Sequence, residues 1–399
     1  MQPWQRNLYV LWLGDLLVAA AFSLVMPFLP LYLEQLGVRR GVAALSGWLL
    51  SSAFLATALA SPVWGALADR YGQKPMLIRS GLSLGVIYVL MSFAQNAGQL
   101  FVLRTLFGLL SGFIPAATAL VAGNTPPEKL GTALGTLQTA SAAGNIIGPL
   151  LGGLLAHFVG IQGTFLVSGL ALSMATLLVL VLVREDFRPA GARQSILADL
   201  RQAFNLPALR AIYGLLFFLQ LGAMVIAPVF TLFVARIVPG DPEVATGFLF
   251  SLSGMAEISA GPLSAQIGQR LGYANTLVLG FGLVTLFALP QAFVHSFGQL
   301  AVLRTLLGFA FALTLVSGNV LMGLHSPASF RGRAFGLLNS FNALAAVVAT
   351  SLGGWVADRF DLGTVFLVAG GVAAVACALG ASRRSDLEPG RSAEGEACA

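Results

Sequence analysis

The stretch Gly65-Ala-Leu-Ala-Asp-Arg-Tyr-Gly-Gln-Lys-Pro75 decides the fold of this chain. It is short and polar, and it separates an apolar run that begins near residue 45 from another that continues to about residue 93. Because charged groups need water, such a turn between two long apolar segments is predicted to lie at a membrane face. Glycines in it permit a turn and close approach, and charged residues stand at a helix end. The residues concerned are Gly65, Asp69, Arg70, Gly72 and Lys74.

The composition excludes a soluble globular protein. Of 399 residues, 57% are hydrophobic and only 10% are charged, with a mean hydropathy of +0.85, whereas soluble domains carry about 25% charged residues. The net charge of +6 comes from basic residues in short connections between apolar runs. That pattern is typical of membrane topology and does not indicate a nucleic-acid partner. Cys377 lies in the last apolar run and Cys398 in the polar tail, so no disulfide is expected.

Twelve apolar runs have about the 20 residues that a helix needs to cross a bilayer. Their approximate limits are 8–34, 43–66, 76–95, 99–122, 131–155, 164–183, 208–234, 244–267, 274–294, 299–324, 333–356 and 363–381. The first run is too long for the core of a signal peptide and is predicted to be a retained span. The sequence therefore predicts an all-α membrane protein with twelve transmembrane helices.

The polar stretch between the sixth and seventh runs is the predicted domain boundary. One helical face there carries Ile196, Leu197, Leu200 and Phe204, which predicts a short helix on the membrane surface. With both termini in the cytoplasm, most lysines and arginines face the cytoplasm, which favours that topology. The predicted domains are a six-helix bundle (1–188), a cytoplasmic linker (189–207), a second six-helix bundle (208–382) and a cytoplasmic tail (383–399).

An internal repeat relates the two halves. Gln99-Leu-Phe-Val-Leu-Arg-Thr-Leu106 recurs 200 positions later as Gln299-Leu-Ala-Val-Leu-Arg-Thr-Leu306, and Gly152-Gly153 recurs 201 positions later as Gly353-Gly354. An even number of spans in each half gives both halves the same orientation in the membrane. The opening stretch is repeated less closely, because the residue that corresponds to Asp69 in the second half is Gln269.

Four stretches resemble the major facilitator superfamily. Residues 65–74 resemble its signature loop between helices 2 and 3, a conformational gate, and Arg104-x-x-x-Gly108-x-x-x-Gly112 resembles its second motif. Trp12-Leu-Gly14 and the segment 20–37 resemble its multidrug efflux members. The antiporter motif of the family is matched in full by Gly144, Gly148, Pro149, Gly152 and Gly153. The resemblance implies the major facilitator fold and a twelve-span drug:proton antiporter of the inner membrane.

The gate motif gives a specific expectation for Asp69. Its carboxylate is expected near the positive N-terminal end of the eleventh span, around Arg333, when the cytoplasmic side is closed. The alternative is a solvated loop that only follows the distribution of positive charge.

Three ionisable residues inside apolar spans are candidates for proton coupling. Glu257 lies near the middle of the eighth span, and Asp15 lies about two turns from the cytoplasmic end of the first. A buried carboxyl group can bind and release protons near neutral pH. The alternatives are a structural partnership for Glu257 and a hydrated or snorkelling position for Asp15. Arg104 needs a partner or a water-filled cavity, although snorkelling is open to it as well.

Residues that could line a substrate cavity come from both halves. They combine polar side chains with soft apolar ones, and ordinary interhelical packing is the alternative for each. The candidates are Phe22, Met26, Gln138, Phe217, Gln220, Met224, Asn339 and Asn342.

The residues favour a transporter over other classes. The chain has no phosphate-binding loop or metal-ligand cluster, so neither an enzyme nor a cofactor nor a metal site is expected. The expected partners are a small-molecule substrate, protons and the lipid bilayer, with the protein acting as a monomer. The predicted function is export of lipophilic or amphipathic drugs in exchange for protons. The alternatives are an ion-coupled carrier of a defined metabolite, such as a sugar or amino acid, and a non-transporting membrane sensor.

Overall fold

The structure is a computed structural model that describes residues 3–185, 207–238, 240–326 and 331–387. The regular elements of these ranges are all helical, and ten helical segments are long and apolar enough to cross a membrane; two of them, Trp4–Gln35 and Ala97–Asn124, each join two of the helices named below. The twelve-span count and the cytoplasmic position of both termini stay predictions. The predicted surface helix of the linker lies outside the described residues.

The helices follow the predicted runs with several interruptions. In the first half they are α1 (Pro3–Val25), α2 (Leu29–Gln35), α3 (Val42–Tyr71), α4 (Gln73–Ser92), α5 (Ala97–Leu110), α6 (Phe113–Asn124) and α7 (Leu130–Leu182). In the second they are α8 (Pro207–Met224), α9 (Phe230–Ile237), α10 (Pro242–Leu271), α11 (Tyr273–Ala288), α12 (Phe297–His325), α13 (Arg331–Arg359), α14 (Leu362–Ser382) and α15 (Arg384–Leu387). The fifth and sixth predicted spans are both contained in α7, which is broken at Gly160, where φ is 73°. The eighth corresponds to α10, which is not one of the ten.

Prolines divide the first and seventh predicted spans at matching places. Pro27 lies in the turn between α1 and α2, and Pro228 lies between the end of α8 at Met224 and the start of α9 at Phe230. Proline cannot donate the backbone hydrogen bond that continues a helix. The two prolines are 201 positions apart, so the repeat read from the sequence extends to the backbone breaks.

The repeated glutamines start two equivalent helices. Asn96 accepts a hydrogen bond from the Gln99 backbone N–H at 2.9 Å, and Gln99 Oε1 accepts one from the Gln95 N–H at 2.8 Å. In the second half, Ser296 and Gln299 make the corresponding pair at 3.4 and 3.2 Å. Such reciprocal caps satisfy backbone donors that have no partner inside the helix. The repeat therefore preserves a helix start.

The described helices belong to two compact units. The first consists of Met1–Gly191 and Phe230–Ser251, and in it α1 and α4 pack along α7. The second consists of Ala192–Val229 and Leu252–Ala399, and its buried core surrounds α8. There the Tyr213 hydroxyl donates to the Ala334 carbonyl at 3.0 Å. The grouping of Phe230–Ser251 with the first unit is not foreseen from the sequence, and the predicted boundary at 189–207 stays a prediction.

Candidate functional site

The antiporter motif on α7 forms a backbone contact with α1. All five motif residues are buried. A Cβ atom added to Gly144 would lie 2.6 Å from the Leu16 carbonyl oxygen, and one on Gly148 would lie 2.7 Å from that of Ala20. The Ser23 hydroxyl also donates to the Gly144 carbonyl at 3.1 Å. Small residues permit this approach of two helix backbones, and no larger side chain fits at these positions.

The opposite side of the same motif contacts the beginning of α10. A Cβ atom on Gly153 would lie 2.5 Å from the Glu243 carbonyl oxygen and 3.0 Å from the Val244 Cα atom. Gly247 completes the contact from the other helix, because a Cβ atom there would overlap the Pro149 carbonyl oxygen. The motif is thus packed between α1 and the first turns of α10. Gly247 carries no signal of this role in the sequence, since isolated glycines are common in membrane helices.

Polar contacts hold the segment 230–251 to the rest of the first unit. His157 Nδ1 lies 2.8 Å from Asp241 Oδ1, close to the break at Gly160. The Thr231 hydroxyl donates to the Pro27 carbonyl, and the Ser251 hydroxyl donates to the Ile146 carbonyl. The segment is therefore fastened to α7 and to the turn that follows α1.

The second half keeps part of this packing. A Cβ atom on Gly353 of α13 would overlap the Val225 carbonyl oxygen, as one on Gly152 would overlap that of Leu24. Leu24 and Val225 are 201 positions apart, as are the two glycines. Ala349 of α13 takes the place of Gly148 and is completely buried. The repeat therefore preserves the contact at Gly152 but not the glycines that precede it.

Glu185 organises the turn of the candidate gate. Gly72 ends α3 with a φ of 96°, a conformation that favours glycine. The Glu185 carboxylate accepts hydrogen bonds from the Gln73 and Lys74 backbone N–H groups at 2.7 and 2.8 Å. A Cβ atom on Gly72 would lie 2.7 Å from Glu185 Oε2. A residue at the end of the sixth predicted span therefore caps α4, which sequence analysis did not detect because the two are far apart in the chain.

Asparagine side chains hold the segment before Glu185 in place. Asn7 donates to the Arg184 carbonyl at 2.6 Å and accepts from the Arg184 N–H at 3.1 Å. Asn124 donates to the same carbonyl at 3.1 Å. Of the other gate residues, Arg70 is exposed over the Tyr71 ring. The side chains of Asp69 and Arg333 lie outside the described residues, so their contact stays a prediction.

Glu185→Gln is expected to lower the stability of the purified protein. The amide has only one accepting oxygen, so one of the two bonds to α4 is lost together with the charge that favours a helix N-terminus. Loss of such a cap costs about 0.5–2 kcal/mol. Thermal unfolding in detergent measures the effect, with Glu128→Gln as the matched control, because Glu128 is exposed. Equal melting temperatures for the two variants would contradict the capping role.

Arg104 is completely buried in the first unit. Its guanidinium lies 5.0 Å from the centre of the Phe107 ring and 5.6 Å from that of Phe22. It also interacts with Tyr88, whose hydroxyl donates to the Ala21 carbonyl at 3.0 Å. The snorkelling position that the sequence left open is therefore wrong, because aromatic rings enclose the cation and contribute to its stabilisation.

The two candidate acids have different surroundings. The Asp15 side chain is only 1% exposed, and its Oδ1 atom has no hydrogen-bond partner among the described residues. The first unit therefore encloses Asp15, and the hydrated or snorkelling alternative for it stays open. Glu257 is half-buried in α10, and within the described ranges no hydrogen bond or ion pair involves its carboxylate. Either acid could exchange a proton, and their roles stay predictions.

The candidate cavity residues are distributed over both units. Phe22 stacks on Phe107 at 6.1 Å between ring centres, so it contributes to the surroundings of Arg104. Gln138 and its repeat counterpart Asn339 are both exposed. The remaining candidates are half-buried: Met26 in the first unit, and Phe217, Gln220, Met224 and Asn342 in the second. A role in substrate binding stays a prediction for all of them.

Comparison with known proteins gives consistent matches. A family model described as Major Facilitator Superfamily matches residues 11–290 and 212–397. "Multidrug resistance protein MdtG" of Salmonella heidelberg (strain SL476) is 39% identical over 379 residues, which cover 92% of this chain and 93% of the relative. The protein of that name from Escherichia coli O17:K52:H18 is 38% identical over 376 residues, with 92% of each chain covered.

Solved structures share the fold at low sequence identity. A mutant of the nucleoside transporter NupG matches with a TM-score of 0.79 and 16% identity, covering 96% of this chain and 99% of that one. The human organic anion transporter MFSD10 matches with a TM-score of 0.67 and 20% identity, covering 95% and 100%. At such identities the likeness concerns the fold alone.

Proposed function

The chain belongs to the Major Facilitator Superfamily and is a multi-pass membrane protein, and from this we propose that it exports lipophilic or amphipathic drugs in exchange for protons. The names of its relatives support a drug substrate. We place the protein in the bacterial inner membrane, where an ion gradient drives transport. It acts as a monomer, and its partners are protons and the transported compound.

The observation that carries this proposal is the two-sided packing of the antiporter motif. Alternating access requires contacts that form in one state and open in the other. The contact of Gly153 and Pro149 with α10 joins bare backbones, so that only the few polar contacts of the segment 230–251, such as His157 with Asp241, have to break when it opens. Such a contact can separate and re-form as a unit. The segment 230–251, which it fastens to α7, is then the part that moves.

The proton site of the proposal is Glu257. Gly247 and Glu257 lie on the same helix, about 15 Å apart at 1.5 Å per residue. Movement of the first turns of α10 therefore changes the surroundings of the carboxyl group. Access to water favours the charged form and enclosure favours the protonated form. Glu257 takes up a proton on one side of the membrane and releases it on the other, and a cationic drug competes with that proton directly.

A drug-susceptibility screen tests the proposed function. Expression in an efflux-deficient bacterium is expected to protect against several chemically unrelated lipophilic compounds, and Glu257→Gln is expected to remove the protection. Glu243→Gln, the same change on the same helix, is the matched control and should retain it. Protection against analogues of a single sugar or amino acid would instead support the ion-coupled metabolite carrier.

A further inference from the structure

The fourth predicted span is broken in its middle. The sequence predicts one helix over residues 99–122, but α5 ends at Leu110 and α6 begins at Phe113. Pro115 accounts for the break, because it has no N–H to donate to the Ser111 carbonyl, as residue 115 of a continuous helix would, and its ring crowds that carbonyl. Gly112 takes a φ of 135°, which a side chain would disfavour. The break leaves backbone carbonyls without helical partners in an apolar span.

Three side chains from neighbouring helices satisfy these carbonyls. Trp64 Nε1 donates to the Leu109 carbonyl at 2.6 Å, and Thr57 Oγ1 donates at 3.1 Å to the Gly108 carbonyl, which also accepts from the Ser111 N–H and hydroxyl. Arg79 donates from Nη1 to the Leu110 carbonyl at 3.0 Å and from Nη2 to the Ser111 carbonyl at 3.3 Å. The three successive carbonyls of Leu109, Leu110 and Ser111 are thus capped from α3 and α4. In a membrane such groups must be satisfied within the protein.

Arg79 is held in position by an aromatic ring. Its guanidinium carbon lies 3.5 Å from the centre of the Trp64 ring, within the range of a cation–π interaction. Trp64 directly precedes Gly65 of the gate motif, and Arg79 follows that motif at the start of α4. A planar guanidinium can stack on an indole and donate two bonds at once, which a lysine cannot do. The cap therefore joins α3 and α4, which flank the gate motif, to the break in the fourth predicted span.

The second half provides an internal comparison. There α12 runs without interruption from Phe297 to His325. The counterparts of Pro115, Arg79 and Trp64, 200 positions later, are Leu315, Leu279 and Ser264. Where the proline is absent, the helix is continuous and the arginine and tryptophan are absent too. The break and its cap occur together in one half of the repeat and are both missing from the other.

We propose that Arg79 is a positioning residue that holds α5 and α6 in their bent arrangement by capping the Leu110 and Ser111 carbonyls, which the break at Pro115 leaves without helical donors. The bend determines the position of α5, which carries Arg104, relative to α3 and α4. Its importance for efflux rests on the proposed transport function. The capping role of Arg79 does not depend on the transport function, so an experiment can contradict one without contradicting the other.

A double-mutant cycle between Arg79 and Pro115 tests the proposal. Arg79→Leu, which copies the second half, is expected to lower the melting temperature and to reduce efflux about tenfold or more, since bonds to a charged donor are lost. Adding Pro115→Leu restores a backbone N–H to Ser111 and is expected to recover the melting temperature while efflux stays low. Arg79→Lys should give an intermediate result. Cysteine spin labels at Gly98 and Gly123 report the bend, and their separation should increase in the double variant towards the roughly 38 Å of a straight helix.

The results of these experiments test the capping role, the bend and the need for the bend in transport one by one. A double variant that is no more stable than Arg79→Leu alone would overturn the capping role, and an unchanged label separation would overturn the effect on the bend. Wild-type efflux from a stable, straightened double variant would show that transport does not need the bend. If the unmodified protein exported no compound, the proposed function would fail, but stability and label separation would still test the capping.

Discussion

Gly148→Leu is expected to abolish efflux while the protein still reaches the membrane. A Cβ atom at this position already lies 2.7 Å from the Ala20 carbonyl oxygen and overlaps the Ser23 hydroxyl. The remaining atoms of leucine have no space unless α1 and α7 separate, and overpacking of this kind costs about 1–3 kcal/mol or more. Because the motif contacts α10 on its other side, separation disturbs both interfaces. Efflux rate per amount of membrane-inserted protein is the measurement.

Gly135→Leu is the matched control for this change. Gly135 lies on the same helix, is exposed, and has no heavy atom within 4 Å of the position of an added Cβ. Ala349, the repeat counterpart of Gly148, is unsuitable because it is completely buried and leucine would be crowded there too. Equal efflux from the Gly148 and Gly135 variants would contradict a mechanical role for the motif.

Glu257→Gln is expected to remove proton-driven efflux completely and to leave the binding of neutral compounds intact. Glutamine has a similar shape but cannot bind and release a proton. Glu257 has no hydrogen-bond or ion-pair partner among the described residues, so the change breaks no described polar contact. The measurement is proton release from purified protein when substrate is added, followed with a pH indicator.

The control for Glu257→Gln separates coupling from folding. A structural role predicts a variant with low expression or a low melting temperature, whereas the coupling role predicts a folded variant that releases no proton. Glu243→Gln on the same helix should release protons normally. Normal release from a folded Glu257→Gln protein would reject Glu257 as the coupling acid and make Asp15, which is buried in α1, the next candidate.

The sequence predicts close packing at the antiporter motif but not its partners. The spacing of Gly144, Gly148 and Gly152 places them on adjacent turns of one helix, and α1 packs against that surface. The contact of Gly153 with α10 could not be predicted, because it depends on how a distant part of the chain folds back. The capping of α4 by Glu185 escaped detection for the same reason.

A hydropathy average along the sequence also fails to reveal breaks inside apolar spans. The runs around Pro27, Pro115 and Pro228 each contain a division that an average over some 20 residues smooths out. Arg79 carries a usable signal, since a lone arginine in an apolar run needs partners, as Arg104 does. Combined with a proline four positions after Ser111, that signal could have indicated the capped break.

Exchange in proteoliposomes tests drug:proton antiport most directly. Purified protein is reconstituted into vesicles with an acidic interior, and a lipophilic fluorescent cation is added outside. We predict accumulation of the cation that follows the imposed pH gradient, is accompanied by proton loss from the interior, and stops when a protonophore removes the gradient. Vesicles with Glu257→Gln and vesicles without protein should show neither movement. Accumulation that persists at equal pH on both sides, or that leaves the interior pH unchanged, would contradict proton exchange.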